Sequence, residues 1–487
     1  MTSEYDARVT FTELVLSMKN RALAWRWARE SLKSGFSVWK LEWVKAAVSF
    51  AERQLEALPP PSKKASSAQS RWRICVTILL GWLLAVLYVL RWRCGVAQTK
   101  LPKHALRIAA VHAEWSTRTR HLLNAFDTSD PPFDALILLG RLHCSPDQAL
   151  ELWKARCNST RISTVPIVVP MSPKACFTAL FDLPRLLKEG LASASFMPCA
   201  PPLRAQVAVA FRVFIGAVAA RWWQEHRFQA IPDVYLAITG TADTSSLELA
   251  VQKDGGRTVH VLHGQATGPN FTGVSTLALF RSYHDAKAYT HLGCYGCCDM
   301  QPRHQPEVHR GAKGVLLFSN LAHPMNPGYR RRFLTDELEL LACVGGAARR
   351  LGALAQPLLW KPHPVIEQLP KPLRSTLRRA AQREGFTEIS SSEDALYIAA
   401  QCRWVLTSPS TVALDLLQSG QLSIVLDPQN SVLDSALSGL PQAPHTPIAL
   451  AEFLETLDND DSYIMTYDEA FSLIGPARDL DLSENVI

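Results

Sequence analysis

RWVLTSPSTVALDLLQSGQLSIVLD, residues 403–427, holds a strand, a turn, a helix and a second strand in 25 residues. RWVLTS (403–408) and LSIVLD (422–427) are short apolar runs of the kind found in strands buried on both faces. Between them, Thr411–Ser419 reads as a crossover helix. Such a unit belongs to a parallel sheet with helices on its faces. Four hydroxyls, Thr407, Ser408, Ser410 and Thr411, crowd the turn into the helix. There they lie beside backbone N–H groups at the positive end of the helix dipole, which is a ready place for an anion. Ordinary N-capping by Ser410 or Thr411 is the plainer reading, and the two are compatible. Asp415 follows one turn in, placed to orient a ligand hydroxyl or to be solvated.

Working outward, the same alternation fills 310–450: a strand at GVLLFSN (314–320), a helix at about 329–351, a strand at PLLWKPHP (357–364) and a helix at 372–384. It also fills 104–305, with strands at LRIAAV (106–111), ALILLG (135–140), TVPIVV (164–169), VYLAITG (234–240) and TVHVLHG (258–264), and helices near 115–126 and 205–226. Two doubly wound, Rossmann-like α/β domains are therefore expected, with a helical tail over 451–487. Ligands of such folds bind at the carboxyl ends of the strands. No period of 20–50 residues is visible, which excludes a solenoid.

The amino-terminal part differs. The chain has 487 residues and a net charge of +7, yet residues 1–73 alone carry 13 Lys/Arg against 7 Asp/Glu, and 91–107 add five more cations and no acid. The remainder is slightly acidic, which argues against a nucleic-acid binder. Seven of 13 tryptophans lie in the first 92 residues. ICVTILLGWLLAVLYVL (74–90) has 17 uncharged residues bracketed by Arg71-Trp72-Arg73 and Arg91-Trp92-Arg93, as expected of a membrane segment. Its helix would measure about 25 Å, slightly short of the bilayer core, so it spans, enters and leaves one leaflet, or lies shallowly. Flanking charge does not choose a side. Within the helical region 1–58, Phe36, Trp39, Trp43, Ala47 and Phe50 line one helix face, for a membrane surface or for the rest of the protein. Pro59–Pro61 opens a linker over 59–73.

Two further clusters fall at predicted strand ends. His263-Gly264-Gln265 places an imidazole where it can serve as general base on a hydroxyl, or simply cap a carbonyl. Trp360-Lys361-Pro362-His363-Pro364 offers a cation and an imidazole donor to an anionic oxygen on a proline-stiffened loop. Cys294, Cys297 and Cys298, with His291, His304 and His309, supply enough ligands for zinc but lack a second pair at finger spacing, so a stretch of thiols without metal is expected. Eleven cysteines form no regular framework, which suits a reducing compartment. Arg330–Arg332 reads as a solvated helix face or an anion contact.

WKPHP (360–364), TSPSTVALDLLQSG (407–420) and IVLD (424–427) together resemble the C-terminal half of GT-B-type transferases that build bacterial surface polymers. The similar groups are capsule polysialyl- and Kdo-transferases and the CDP-glycerol glycerophosphotransferases of teichoic acid synthesis. The resemblance covers about 230–430. It implies that His363, Ser408, Ser410 and Thr411 contact the donor phosphates and that His263 is the base. By their own chemistry Lys361, the cation of the same strand end, is read as a further phosphate contact and Asp415 as another donor contact. The acidic motif that carries the base in polysialyl-type enzymes is absent; Asp243 and Glu114 are the substitutes. The expected activity is a membrane-attached, metal-independent glycosyltransferase at the bacterial inner membrane, its catalytic domains facing the cytoplasm. It would move a sugar from a CMP-, CDP- or UDP-linked donor to a surface polysaccharide or lipid-linked glycan acceptor, with no cofactor and no nucleic acid. The alternatives are a CDP-polyol phosphotransferase of the same fold, a sugar-nucleotide epimerase or hydrolase, and a non-catalytic membrane scaffold.

Overall fold

The computed structural model describes most of residues 71–92 and 101–474; outside it lie 1–70, 93–100, 113–116, 125–132, 140–145, 158–164, 195–202, 227–230, 263–273, 287–296, 302–305, 320–332, 428–435, 475–487 and a few single residues. The amphipathic helix read at 36–50, most of the linker, Glu114, His263, Cys294 and Arg330–Arg332 fall outside the described residues. The chain divides into two compact units. One comprises residues up to Phe280 with Ala286–Pro302, the other Arg281–Asp285 with Arg303–Asn485.

The first unit opens with helix α1 (Arg71–Trp92) and continues β1 (Arg107–His112), α2 (Thr117–Asn124), β2 (Ala135–Leu139), α3 (Pro146–Cys157) and β3 (Ile167–Val168). Then come α4 (Pro173–Leu180), α5 (Leu183–Ala194), α6 (Leu203–Glu225), β4 (Asp233–Leu236), α7 (Ala242–Lys253), β5 (Arg257–Val261), β6 (Leu277–Phe280) and β7 (Cys297–Met300). All the strands are parallel, in the order β3-β2-β1-β4-β5-β6-β7. Every residue of β2 is buried, as its unbroken ALILL run requires in a sheet covered on both faces. The chain winds outward from β1 to β3 and returns to place β4 on the other side of β1, so the direction of winding reverses between β1 and β4.

Helix α6 has apolar residues all round because it is enclosed on several sides. Val209, Val213, Phe214, Trp222 and Trp223 are buried. Gly216 lets it approach α7, where an added Cβ would stand 2.5 Å from the Ala242 carbonyl oxygen. Gly81 does the same for α1: a Cβ there would meet the Ala210 Cβ at 2.5 Å and the Val207 oxygen at 2.6 Å. Ile74, Thr77, Ile78 and Ala85 of α1 are buried on this side, and Thr77 Oγ1 donates to Gln206 Oε1 across the interface at 3.2 Å. Among the described residues no helix is long and apolar enough to cross a membrane. The crossing helix expected at 74–90 is corrected accordingly: the segment is helical, but one of its faces is core of the first unit.

The second unit contains β8 (Val315–Ser319), α8 (Phe333–Leu351), β9 (Leu358–Pro362), α9 (Lys371–Arg383), β10 (Thr387–Glu388), α10 (Ala395–Ala399), β11 (Trp404–Thr407), α11 (Val412–Gln418), β12 (Ser423–Val425), α12 (Pro447–Thr456) and α13 (Asp460–Ile474). Its parallel sheet runs β10-β9-β8-β11-β12. Winding reverses between β8 and β11. The last two helices, read from sequence as a tail, supply Leu450, Leu454, Tyr463 and Tyr467 to this unit's core. Tyr467 donates its hydroxyl to the Leu417 carbonyl at 2.6 Å, fixing α13 to the end of α11. Gly420 ends that helix at φ +89°, where a Cβ would strike the Glu307 oxygen.

Candidate active site

In open α/β sheets the crevice beyond the strands' carboxyl ends, at the reversal of winding, is where ligands bind. In the second unit that point lies between β8 and β11. Ser408 closes β11 there, its N–H donating to the Phe318 carbonyl at 2.8 Å. Thr407 and Ser408 are buried, and Thr407 shares a 3.0 Å hydroxyl contact with Ser423. Ser410 and Thr411 are half-buried. No side-chain capping bond is made by Thr411, and Ser410 Oγ reaches the Val412 N–H only at 3.4 Å. Plain capping therefore accounts poorly for these hydroxyls.

His363 lies at the carboxyl end of β9, on the other side of β8. Its N–H donates to the Ser319 carbonyl at 2.9 Å, and Trp360 Nε1 donates to Ser319 Oγ at 2.7 Å, so the end of β9 is fixed to the end of β8. Two strand spacings, roughly 10 Å, separate the backbones at His363 and Ser408. Both motifs thus border β8, at one edge of one sheet.

Two predicted donor contacts are engaged elsewhere. Lys361 is 9% exposed, and its Nζ donates to the Ser390 carbonyl and, at 3.4 Å, to the Glu393 carbonyl. It ties down the loop after β10. Asp415 Oδ1 lies 2.7 Å from Nη1 of Arg281, whose side chain is 0% exposed, and Arg281 also donates to Gln418. The carboxylate, with 21% of its side chain exposed, neutralises a buried guanidinium of the same unit.

In the first unit the reversal lies between β1 and β4. Glu114 follows β1 by two residues, Asp243 stands in the first turn of α7 after β4, and His263 follows β5 by two residues. The sheet order makes β1, β4 and β5 immediate neighbours; of the three candidates only Asp243 lies among the described residues. Asp243 is 8% exposed and accepts from Thr241 Oγ1 at 2.5 Å beside a Thr241–Thr244 capping arrangement, the setting of a carboxylate that fastens a helix start.

One group at this edge was not anticipated from sequence. Gln301, just past β7, is buried and gives its Nε2 hydrogens to the carbonyls of Leu262 (2.6 Å) and Leu279 (2.9 Å). Its Oε1 is then an acceptor only, so the 2.8 Å contact with His121 Nε2 requires that ring nitrogen to donate. The network assigns the proton to Nε2 and, in the neutral ring, the lone pair to Nδ1. The only sequence signal for His121 is its place on the first helix after β1. Glu248, fully buried in α7, accepts hydroxyl hydrogen bonds from Thr239 (2.6 Å) and Ser275.

The cysteine-rich stretch contributes β7. Cys297 is exposed and Cys298 buried, so the two side chains leave opposite faces of the strand. Among the described residues no group of three His, Cys, Asp or Glu gathers as metal ligands would.

Two tandem doubly wound units, each with polar residues at its winding reversal, define the class as a two-unit Rossmann-like α/β protein. No protein-family model matches the chain, and no curated protein matches it by sequence. Solved structures similar to it include MnaA of S. aureus with UDP (11% identity, 76% of this chain and 93% of that one, TM-score 0.41). The UDP-forming α,α-trehalose-phosphate synthase of Burkholderia vietnamiensis is another (11%, 76% and 94%, TM-score 0.40). MurG of Acinetobacter baumannii is a third (11%, 76% and 96%, TM-score 0.38).

Proposed function

We propose that the protein is a membrane-attached glycosyltransferase of GT-B type that takes a nucleotide-activated sugar as donor and a surface glycan or lipid-linked glycan as acceptor, on the cytoplasmic face of a bacterial inner membrane. The observation that carries this reading is the hydroxyl turn Ser408–Thr411 at the winding reversal of the second unit, with His363 across β8. The donor's phosphates lie at that edge, facing Ser410, Thr411 and the imidazole of His363, with Ser408 fixing the turn. Stabilisation of the leaving nucleotide then comes from placed donors. Lys361 and Asp415 support the site by holding a loop and a buried arginine.

The acceptor hydroxyl meets its base at the neighbouring ends of β1, β4 and β5. His263 is that base, and His121, oriented by Gln301, stands at the same edge as a second imidazole. Metal has no assigned step in this scheme.

The test is nucleotide release from CMP-, CDP- and UDP-sugars by the purified full chain. Release that requires a glycan or lipid-linked acceptor supports transfer, and His363→Ala and Ser410→Ala with Thr411→Ala should each lower it at least about a hundredfold, the scale of a lost charge-stabilising donor. Release without acceptor identifies a hydrolase. Absence of nucleotide binding by thermal shift refutes the enzyme reading altogether.

A further inference from the structure

Helix α1 has two unlike faces. Thr77, Gly81 and Ala85, spaced four apart, turn toward α6 together with Ile74 and Ile78. The opposite face carries Val76, Leu79, Leu80, Leu83, Leu84, Leu87 and Leu90, each 40–52% exposed. At 100° per residue these seven cover a stripe about 140° wide without one polar atom in a side chain. Trp72, at the amino end, is 76% exposed.

We infer that this stripe is a lipid-docking surface: α1 lies in the plane of an anionic leaflet, its inner face on α6 and its outer face among acyl chains. This deepens the membrane-attachment part of the proposed function and replaces a crossing helix with an in-plane one. The distribution of residue sizes supports it. Small residues, which let helices approach closely, are spent on α6, and the outer face keeps bulky, flexible leucines suited to lipid. Charge selects the occupant. Arg-Trp-Arg stands in the sequence at both ends of the apolar run, at 71–73 and 91–93, so each end of the run is cationic in composition. A second copy laid on this face, in either direction, would set arginines against arginines. The amino-terminal residues 1–70 are themselves basic, with 11 Lys/Arg against 7 Asp/Glu, and offer no complement in net charge. Phospholipid headgroups of negative charge complement both ends, and tryptophan at the two borders suits headgroup depth.

The test is flotation of the full chain with vesicles of phosphatidylcholine alone or mixed with phosphatidylglycerol. Binding should need phosphatidylglycerol and weaken with salt. Leu83→Glu with Leu87→Glu should reduce the bound fraction about tenfold or more. Both positions are half-exposed, so circular dichroism and the unfolding temperature should not change. Epitope tags at the two chain ends should be reached by protease from the same side of sealed membranes. Equal flotation of the double variant overturns the inference, as do tags on opposite sides or loss of self-association in the variant with flotation intact. Acceptor-dependent nucleotide release, assayed without vesicles, is a separate readout: its failure bears on the transferase reading, and failed flotation on the lipid surface.

Discussion

Asp415→Asn tests whether that carboxylate serves a ligand or the fold. The substitution keeps shape and removes charge. Arg281 Nη1 stands 2.7 Å from Asp415 Oδ1, with side-chain exposures of 0% and 21%. At an effective dielectric of 20, two unit charges at that distance attract by about 6 kcal/mol, most of which offsets the desolvation of a buried guanidinium. Removing one partner of a buried pair costs about 3–5 kcal/mol. Asp415 keeps a fifth of its surface in water and Arg281 retains Gln418, so about 2–4 kcal/mol is expected here. For a unit of 188 residues that lowers the unfolding temperature by roughly 6–12 °C. Urea unfolding of the variant supplies the free energy, and nucleotide affinity by titration supplies the contrast. Arg281→Met with Asp415→Leu should recover much of the loss, because the stranded charge is gone. Stability within about 0.5 kcal/mol of the parent, with nucleotide binding weakened, would refute the structural assignment and return Asp415 to the ligand.

Other expectations follow from packing and proton binding. Gly81→Leu forces α1 from α6, since even a Cβ would lie 2.5 Å from Ala210 Cβ; a loss of about 2–4 kcal/mol by chemical denaturation is expected, against little change for Leu84→Ala on the open face. Gln301→Leu removes the acceptor of His121 Nε2 and one donor each from the Leu262 and Leu279 carbonyls, so the pH profile of acceptor-dependent release should shift as well as its maximum; a shift absent while stability falls would leave Gln301 purely structural. Burial raises the Cys343 and Cys402 thiols to about 11 and the Tyr463 phenol to about 12. These groups are neutral in the fold and ionise more easily once unfolded, so their contribution is complete below the unfolded values. It is lost as pH rises, from about 9 to 11 for the thiols and 10 to 12 for the phenol, at about 1.4 kcal/mol per pH unit for each group. Unfolding temperatures measured across that range check it, and mass spectrometry after iodoacetamide at pH 8 should find exposed Cys297 modified well before Cys343 or Cys402.

What the sequence disclosed follows from how each strand is buried. Central strands such as ALILL and VLLFS are covered on both faces and read as unbroken apolar runs. Strands β7 and β10 lie at sheet edges. Their sequences, CCDM with alternate exposure and the exposed pair Thr387–Glu388, carry no such run and are not read as strands from sequence. Interior β6, LALF, is not read either: its apolar run is only four residues long. For α1, an uninterrupted apolar composition concealed which side faces protein. Only Gly81, Thr77 and Ala85 at four-residue spacing distinguish the inner face, and that pattern needs a partner helix to acquire meaning.

The site was legible to the extent that it depends on strand ends. Ser408 and His363 each follow an apolar run, and the sheet order then sets both beside β8. Lys361 and Asp415 could not be separated from them by the same reasoning, because their partners are far along the chain. Ser390 lies 29 residues from Lys361, and Arg281 precedes Asp415 by more than a hundred. A charged residue beside a motif has two ways to offset its desolvation, an anionic ligand or a partner within the fold, and local sequence describes both identically. The fold separates them here: Lys361 is held by backbone carbonyls and Asp415 by a guanidinium, whereas Thr411 at the same edge makes no capping bond. This contrast is why the proposed function gives donor recognition at this edge to the hydroxyls of Ser410 and Thr411 together with His363. A neutral hydroxyl can bind a phosphate without first breaking an ion pair, and the nearby charges keep the edge in shape.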